Sequence, residues 1–326
     1  MVKLLWLVVY FVVIPVALGS IYAVLNKTKQ YYIDRIWAIG FAILLAGFSA
    51  WYKVNQDIRI GWKTEDCKAL FLFLFIVSIL LVGVIIAQKK HIEFPQWGGL
   101  KKHYIWPILL VVLLFILSHF LLKMDYEGIQ EAYITCYSAD MSVVSENVDL
   151  SKVDEYRSTT FLSFNVLGLY LSVDEILGIR PERFLTIIIP ILHLMLSFGC
   201  YGFLAEQFNI KEEKQYQYLL LVYALSLITV FQEKNYLFGL YTNFWEPMTL
   251  FVGVYLPFQF GMMIYIEEKM VHAENGSAFG VLFWVIVAYL LGYLFPIKEP
   301  FILLAPEILG VFVGLIRRYK NASNVL

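Results

Sequence analysis

Apolar runs about as long as a bilayer is thick recur along most of this chain. A helix needs about 20 mostly apolar residues to cross the hydrocarbon core, and "WPILLVVLLFILSHFLL" (106–122) is one of several such runs. With 60% hydrophobic and 16% charged residues among 326, a soluble domain could not bury this much apolar surface. The sequence therefore predicts an all-α protein, a polytopic transmembrane helical bundle.

About nine spans are predicted, with one large extracytoplasmic loop that contains an interfacial helix. The spans cover residues 4–25, 36–53, 68–88, 104–123, 183–205, 217–232, 247–266, 279–296 and 300–316. The chain thus divides into helices one to four (1–123), the loop (124–182), and helices five to nine with a short cytoplasmic tail (183–326). The first run is too long for the apolar part of a signal peptide and lacks a small-residue cleavage site, so we expect it to be retained.

The distribution of Lys and Arg predicts a multi-pass protein of the cell membrane with its N-terminus outside and its C-terminus in the cytoplasm. In that orientation thirteen basic residues fall in cytoplasmic segments and seven in the short outside segments, as the positive-inside rule favours. The loop 53–68 departs from the rule, because four of the seven lie there. The net charge of −1 and the lack of a basic stripe give no indication of nucleic-acid binding.

The extracytoplasmic loop is acidic, with eleven Asp or Glu residues against three basic ones between 124 and 182. Its second half, "TTFLSFNVLGLYLSVDEILGI" (159–179), is apolar but too interrupted to span a bilayer. A helix that lies on the outer leaflet, or half enters it, fits this pattern.

Acidic residues follow the fourth span directly, in "KMDYEGIQEAYITCYSADM" (123–141). Lys123, Glu127 and Glu131 are spaced by four, so a solvated helix exit with an ion pair is one interpretation. The other is that Asp125 or Glu127 acts as a general base, because an alcohol is a poor nucleophile until a base takes its proton. Spacing alone leaves both open.

Transfer of a sugar from a lipid phosphate also needs cations for the departing phosphate. On the predicted outer side the candidates are Arg180, Arg183, Lys234 and Lys298, although arginines at a span entry are often interfacial anchors. Lys298 stands beside Glu299 in a predicted tight turn, where mutual neutralisation is the favoured interpretation.

Two further features of the predicted spans bear on function. His193 lies inside the fifth span, where it is either functional or a neutral histidine bonded to a neighbouring helix. The segment "KNYLFGLYTNFWEP" (234–247) places polar residues among aromatic ones and predicts a re-entrant or interfacial loop lining a cavity. There is no nucleotide-binding motif or metal-ligand cluster, and Cys67, Cys136 and Cys200 have no metal spacing.

Three stretches together resemble an uncharacterised family of bacterial polytopic membrane proteins with GT-C-like glycosyltransferase architecture, associated with surface polysaccharide. They are the acidic run above, "GIRPERFLTIIIPILHLMLSFGCYGFL" (178–204) and "LYTNFWEPMTLFVGVYLPFQF" (240–260). The resemblance covers roughly 104–266. It implies a polyprenyl-phosphate-linked sugar as donor, and no sequence motif names a further cofactor or a metal ligand.

The resemblance also implies roles for single residues. Its acidic positions correspond to Asp125 and Glu127, its tyrosine to Tyr133, its span proline to Pro190 and its tryptophan to Trp245. Two family cations are missing, because Asn243 stands where the family has Arg, and Glu246, Pro247 and Met248 stand where it has Gln-Gly-Lys. The expected substrate-binding residues are Glu131, Tyr133, Arg180, Arg183, Lys234, Asn243, Trp245 and Glu246.

The leading expectation is a GT-C-like glycosyltransferase in extracytoplasmic surface-glycan assembly. Its partners would be the lipid bilayer, the lipid-linked sugar and other surface-glycan assembly proteins, with no nucleic acid. Two alternatives stay open: a non-catalytic membrane subunit of a glycan assembly or export complex, and a small-solute transporter or flippase. The missing cations favour the first alternative, and paired broken helices would favour the second.

Overall fold

The computed structural model describes most of the predicted membrane body. The described residues are 2–26, 30–58, 64–93, 184–228, 247–272, 277–294 and 304–323, with single positions and short runs within 105–116 and 170–178. They are mostly helical. The α-helices are α1 (Val2–Val8), α2 (Ile14–Leu25), α3 (Ile33–Ile58), α4 (Thr64–Ala87), α5 (Ile189–Gln207), α6 (Glu212–Ile228), α7 (Pro247–Leu250), α8 (Leu256–Val271), α9 (Ser277–Gly292) and α10 (Ala305–Ser323).

Within the described residues, four helices are long and apolar enough to cross a membrane, as a helical membrane protein requires. They cover Leu5–Leu25, Ile33–Trp51, Lys68–Ala87 and Ile189–Gln207, at the first, second, third and fifth predicted spans. A shorter apolar helix covers Ala278–Gly292. The count of nine spans, the extracytoplasmic loop and the orientation stay predictions.

A π-helical turn just before a proline occurs three times among the described residues; it interrupts two helices and begins the described part of a third. Proline has no N–H, and its ring clashes with the carbonyl four residues earlier, so the helix widens locally. The backbone N–H groups of Ile14 and Leu256 accordingly donate to the carbonyls of Val9 and Phe251, five residues earlier. The three pairs are Val9–Val13 with Pro15, Phe184–Ile188 with Pro190, and Phe251–Tyr255 with Pro257.

At the first interruption a side chain from another helix bonds the affected carbonyl. In a regular helix the N–H of residue 15 would bond the carbonyl of Phe11, and Pro15 has none. The indole Nε1 of Trp37 in α3 donates to this carbonyl at 2.6 Å. Because a bilayer offers no water to an unpaired peptide group, this bond makes the proline tolerable and ties α3 to the N-terminal helix.

Glycines let α2 and α3 touch backbone to backbone. A Cβ atom on Gly19 would overlap the carbonyl of Ile36, and one on Gly40 would overlap the carbonyl of Pro15. Small residues allow this close approach in membranes, where packing replaces the hydrophobic effect as the force between helices. The same arrangement recurs where Gly310 of α10 meets the backbone of α8.

A two-stranded parallel sheet joins two connections at one end of the bundle. The strands are β1 (Gln30–Tyr32) and β2 (His91–Glu93), with Tyr31 opposite Ile92. The connection after α2 and the one after α4 therefore lie at the same end, in agreement with their predicted location on one side of the membrane. We refer to this end as the β end.

We expect Gly40→Ala to lower the thermal unfolding midpoint of the protein in detergent. The new methyl group would overlap the backbone of α2, so the tightest helix pair would have to separate. Gly83→Ala is the matched control, since no atom lies within 4 Å of a Cβ at that position. There the better helix propensity of alanine, worth about 1 kcal/mol, predicts an unchanged or higher midpoint. Equal effects of the two substitutions would contradict the close packing.

Candidate functional site

All ten residues predicted to form the sugar-transfer site lie outside the described residues. They are Asp125, Glu127, Glu131, Tyr133, Arg180, Arg183, Lys234, Asn243, Trp245 and Glu246. Lys298 and Glu299 lie outside as well. Their roles stay predictions. The structure describes residues of the predicted loop 124–182 and of the helices, and their contacts follow.

The last part of the predicted interfacial helix packs against the bundle. Tyr170, Val173 and Leu177 adopt helical conformation and are buried, with Tyr170 and Val173 0% exposed. The Tyr170 ring lies 6.1 Å from the ring of Phe11. At the end of this segment, the carbonyl of Gly178 accepts a 2.5 Å hydrogen bond from Lys3 Nζ. The segment thus contacts the bundle where α1 begins, at the end opposite the β end.

Tyr170 also reaches His193, the ionisable residue inside the fifth predicted span. The Tyr170 hydroxyl lies 2.9 Å from Nε2 of His193, and both side chains are buried. This contact fits the prediction of a neutral, hydrogen-bonded histidine. The partner, however, comes from the predicted loop 124–182, called the insert below, and not from a neighbouring span. Nδ1 of His193 is enclosed and has no hydrogen-bond partner in the described structure. If the phenol donates to Nε2, the proton of the ring sits on Nδ1.

An ion-pair network at the β end joins α3, α5 and α6. The buried guanidinium of Arg35 donates to Glu206 at 2.5 Å and to Gln215 at 2.6 Å. It also lies over the ring of Tyr32, with its carbon 4.4 Å from the ring centre. One charged side chain therefore holds three helix ends together, with hydrogen bonds that are stronger than neutral ones because the donating guanidinium is ionised.

Lys90 caps the C-terminal end of α2. Its Nζ donates to the carbonyl of Ala23 at 2.5 Å and to the carbonyl of Asn26, two acceptors that the end of a helix leaves unpaired. Burial lowers the pKa of the Lys90 ammonium, and the like charge of Lys269 lowers it further. The cap explains why the connection after α4 is held against the connection after α2.

A polar cleft of about 280 Å³ opens at the same end. Its walls are aromatic, amide and charged side chains from the ends of α2, α5 and α8: Tyr22, Asn26, Tyr31, Glu206, Gln207, Asn209, Tyr265, Glu268, Lys269 and His272. The ammonium groups of Lys90 and Lys269 lie 5.7 and 5.4 Å from the ring centres of Tyr31 and Tyr265. The aromatic faces that suit a cation are therefore occupied by lysines of the chain itself.

The described residues also bear on the predictions for metal ligands and cysteines. They contain no group of three or more His, Cys, Asp or Glu side chains that could hold a metal ion. Cys200 is a buried free thiol in the apolar core, as expected for a packing residue.

Sequence reasoning missed several residues that the structure places in polar contacts. Arg35 was counted only as a positive charge, and Glu206 and Tyr170 were not singled out. Glu307, which is fully buried, was also overlooked. A signal for Glu307 exists, since it is the one acidic residue in the predicted ninth span.

Comparison with known proteins identifies no relative, because no protein-family model matches the chain and neither a curated protein nor a solved structure matches it significantly.

We expect Glu206→Gln to destabilise the protein by about 1 kcal/mol, because it replaces the charged partner of the buried Arg35 guanidinium, a partner that is itself 42% exposed, with a neutral one. Glu267→Gln is the matched control. In its pair with Arg317 the cation is the exposed partner, at 59% against 18% for Glu267, so the guanidinium left behind is hydrated and we expect a smaller effect. Thermal unfolding in detergent would compare the two variants with the wild type. A smaller effect for Glu206→Gln than for Glu267→Gln would contradict the structural role of the Arg35 network.

Proposed function

We propose that the protein is a GT-C-like membrane glycosyltransferase that uses a polyprenyl-phosphate-linked sugar in extracytoplasmic surface-glycan assembly. The proposal rests on the resemblance of the three sequence stretches. The observation from the structure that supports it best is the packing of Tyr170 into the bundle. This contact ties the acidic insert to the membrane body, as an enzyme needs if carboxylates on the insert act on a lipid-borne donor.

The proposed reaction assigns one role to each charged group. Asp125, or failing that Glu127, takes the proton from an acceptor hydroxyl. The hydroxyl oxygen bonds to the anomeric carbon of the donor sugar while the bond from that carbon to the phosphate oxygen breaks. The polyprenyl phosphate leaves with the electron pair, and Arg180, Arg183 and Lys234 stabilise its negative charge.

The remaining predicted residues would shape the substrate cavity. Glu131 and Tyr133 follow the proposed base, while Asn243, Trp245 and Glu246 form the segment before α7. A sugar ring stacks on aromatic faces and bonds to carboxylates and amides, which these side chains supply. A dry, enclosed cavity strengthens each of these polar contacts.

A specific observation favours a transporter or flippase as the second candidate. Two described helices contain a π-turn before a proline and a third begins with one; π-turns within helices are frequent at functional sites, and transporters place substrate sites at irregular helices. Uptake of a labelled solute into proteoliposomes by the wild type would support this candidate over the enzyme.

Asp125→Asn and Glu127→Gln test the proposed base. We expect at least one of them to remove one sugar linkage from the surface glycan of cells that contain the protein at the wild-type level. Glu268→Gln is the control, because this exposed carboxylate lies at the β end. Unchanged glycan composition in both variants would contradict catalysis and favour the non-catalytic subunit of a glycan assembly complex.

Tyr170→Ala tests whether packing of the insert matters for the same product. The substitution removes a fully buried ring and its bond to His193, so we expect the insert to detach and the glycan product to fall several-fold. Tyr319→Ala, at a position 80% exposed, should leave the product unchanged. If Tyr170→Ala, at the wild-type protein level, made as much glycan product as the wild type, the contact of the insert with the bundle would not be needed for function.

A further inference from the structure

Glu307 lies in the interior of the helical body although its side chain can carry a charge. It is 0% exposed and belongs to the first turn of α10. This helix runs alongside α8 in the same direction: Gly310 meets Met263, and Gly314 meets Met270 further along. Glu307 consequently sits at the level of Gln259, about halfway along the helical rod from Pro247 to Val271.

The partners of Glu307 are neutral. With its amide oriented to satisfy both ends, Gln259 donates a hydrogen bond from its nitrogen to the carboxyl group of Glu307 and accepts one from the hydroxyl of Tyr255. The Tyr255 hydroxyl lies 3.3 Å from the carbonyl of Ala288 in α9. Among the described residues, the segment Phe251–Val271 thus supplies an amide next to Glu307 and a phenol behind it, and α9 supplies a peptide carbonyl to the phenol.

No charge of opposite sign compensates this carboxyl group within the described structure. On its own helix, the basic side chain of Arg317 lies three turns away and pairs with Glu267 of α8. Glu268 and Lys269 of α8 line the cleft at the β end. From α9, the titratable side chains nearest in sequence to Ala288 are Tyr289, which is exposed and bonded to Tyr293, and Tyr293 itself. None of these forms an ion pair with Glu307.

Such a carboxyl group cannot remain ionised at low cost. Burial of an uncompensated charge is far more unfavourable than the helix dipole at the first turn of α10 is favourable. An ionisable residue inside a membrane body is for this reason a functional candidate, and carboxyl groups that gain and lose a proton there form the relays of pumps and transporters.

We propose that Glu307 is a proton-binding site, a carboxyl group that carries its proton in the folded protein at neutral pH and exchanges it with the medium. The adjacent interruption of the rod, the π-turn Phe251–Tyr255 before Pro257, ends at the tyrosine that bonds Gln259. Movement at this π-turn would change the hydrogen bonds around the carboxyl group and therefore its proton affinity. The site is independent of the proposed sugar transfer, because it involves none of the residues assigned to that reaction.

Infrared spectroscopy tests the proposal directly, because a protonated carboxylic acid has a carbonyl-stretching band that an ionised carboxylate lacks. We expect wild-type protein in lipid nanodiscs to show this band at pH 7, where an exposed glutamate with a pKa of about 4.3 is ionised. The band should fall as the pH is raised further. Glu307→Gln should lack it, and Glu268→Gln should retain it.

Two further experiments distinguish the proposal from a folding defect and from binding of a metal cation. Glu307→Asp preserves an acid at the site and should shift the band rather than remove it, which serves if the glutamine variant does not fold. Spectra in NaCl and in choline chloride at equal ionic strength and pH separate a proton from a metal cation. Identical bands in wild type and Glu307→Gln at pH 7, or loss of the wild-type band in NaCl alone, would overturn the proposal.

Discussion

Peptide groups in a bilayer have no water to bond, so each donor and acceptor in the membrane body needs a partner within the protein. Helices satisfy this requirement almost everywhere in the described chain, and the exceptions organise the rest of the structure. Where Pro15 removes a donor, the indole of Trp37 takes its place. Where α2 ends, the ammonium of Lys90 bonds its free carbonyls. Both partners come from other elements, so repairing the backbone of one helix also positions its neighbours.

Buried charged side chains among the described residues also need partners, and they differ in whether they find one of opposite charge. Arg35 is buried but bonded to a carboxylate and an amide, and its charge is balanced at a helix end. Glu307 is equally buried, and its partners among the described residues are neutral. The first arrangement is explained by its contribution to packing. The second has no evident structural benefit, since a leucine would fill the space without a desolvation cost, and this contrast directs attention to proton binding.

The insert shows how a membrane body and an acidic loop are joined. Its described end has apolar and aromatic side chains that enter the bundle, with Tyr170 bonded to His193 and Gly178 bonded to Lys3. These contacts combine the burial of an aromatic ring with two hydrogen bonds. The proposed sugar transfer requires a loop attached to the membrane body, and these contacts attach it at residues 170–178.

The sequence by itself determined that the described segments are largely helical, because length and apolarity act locally; the π-turns before three prolines were seen only in the structure. The sequence also predicted that the connections after α2 and α4 lie on the same side of the membrane, and the pairing of β1 with β2 agrees with that prediction. Only the tertiary structure decided which polar groups meet. Arg35 and Glu206 are 171 positions apart, and Gly40 and Gly83 look alike until one is found against a helix backbone. Glu307 escaped notice because hydropathy averages one carboxyl group into its apolar neighbours, whereas burial depends on how α8, α9 and α10 pack around it. Such contacts depend on helix packing over long sequence separations, and local residue patterns carry no information about it.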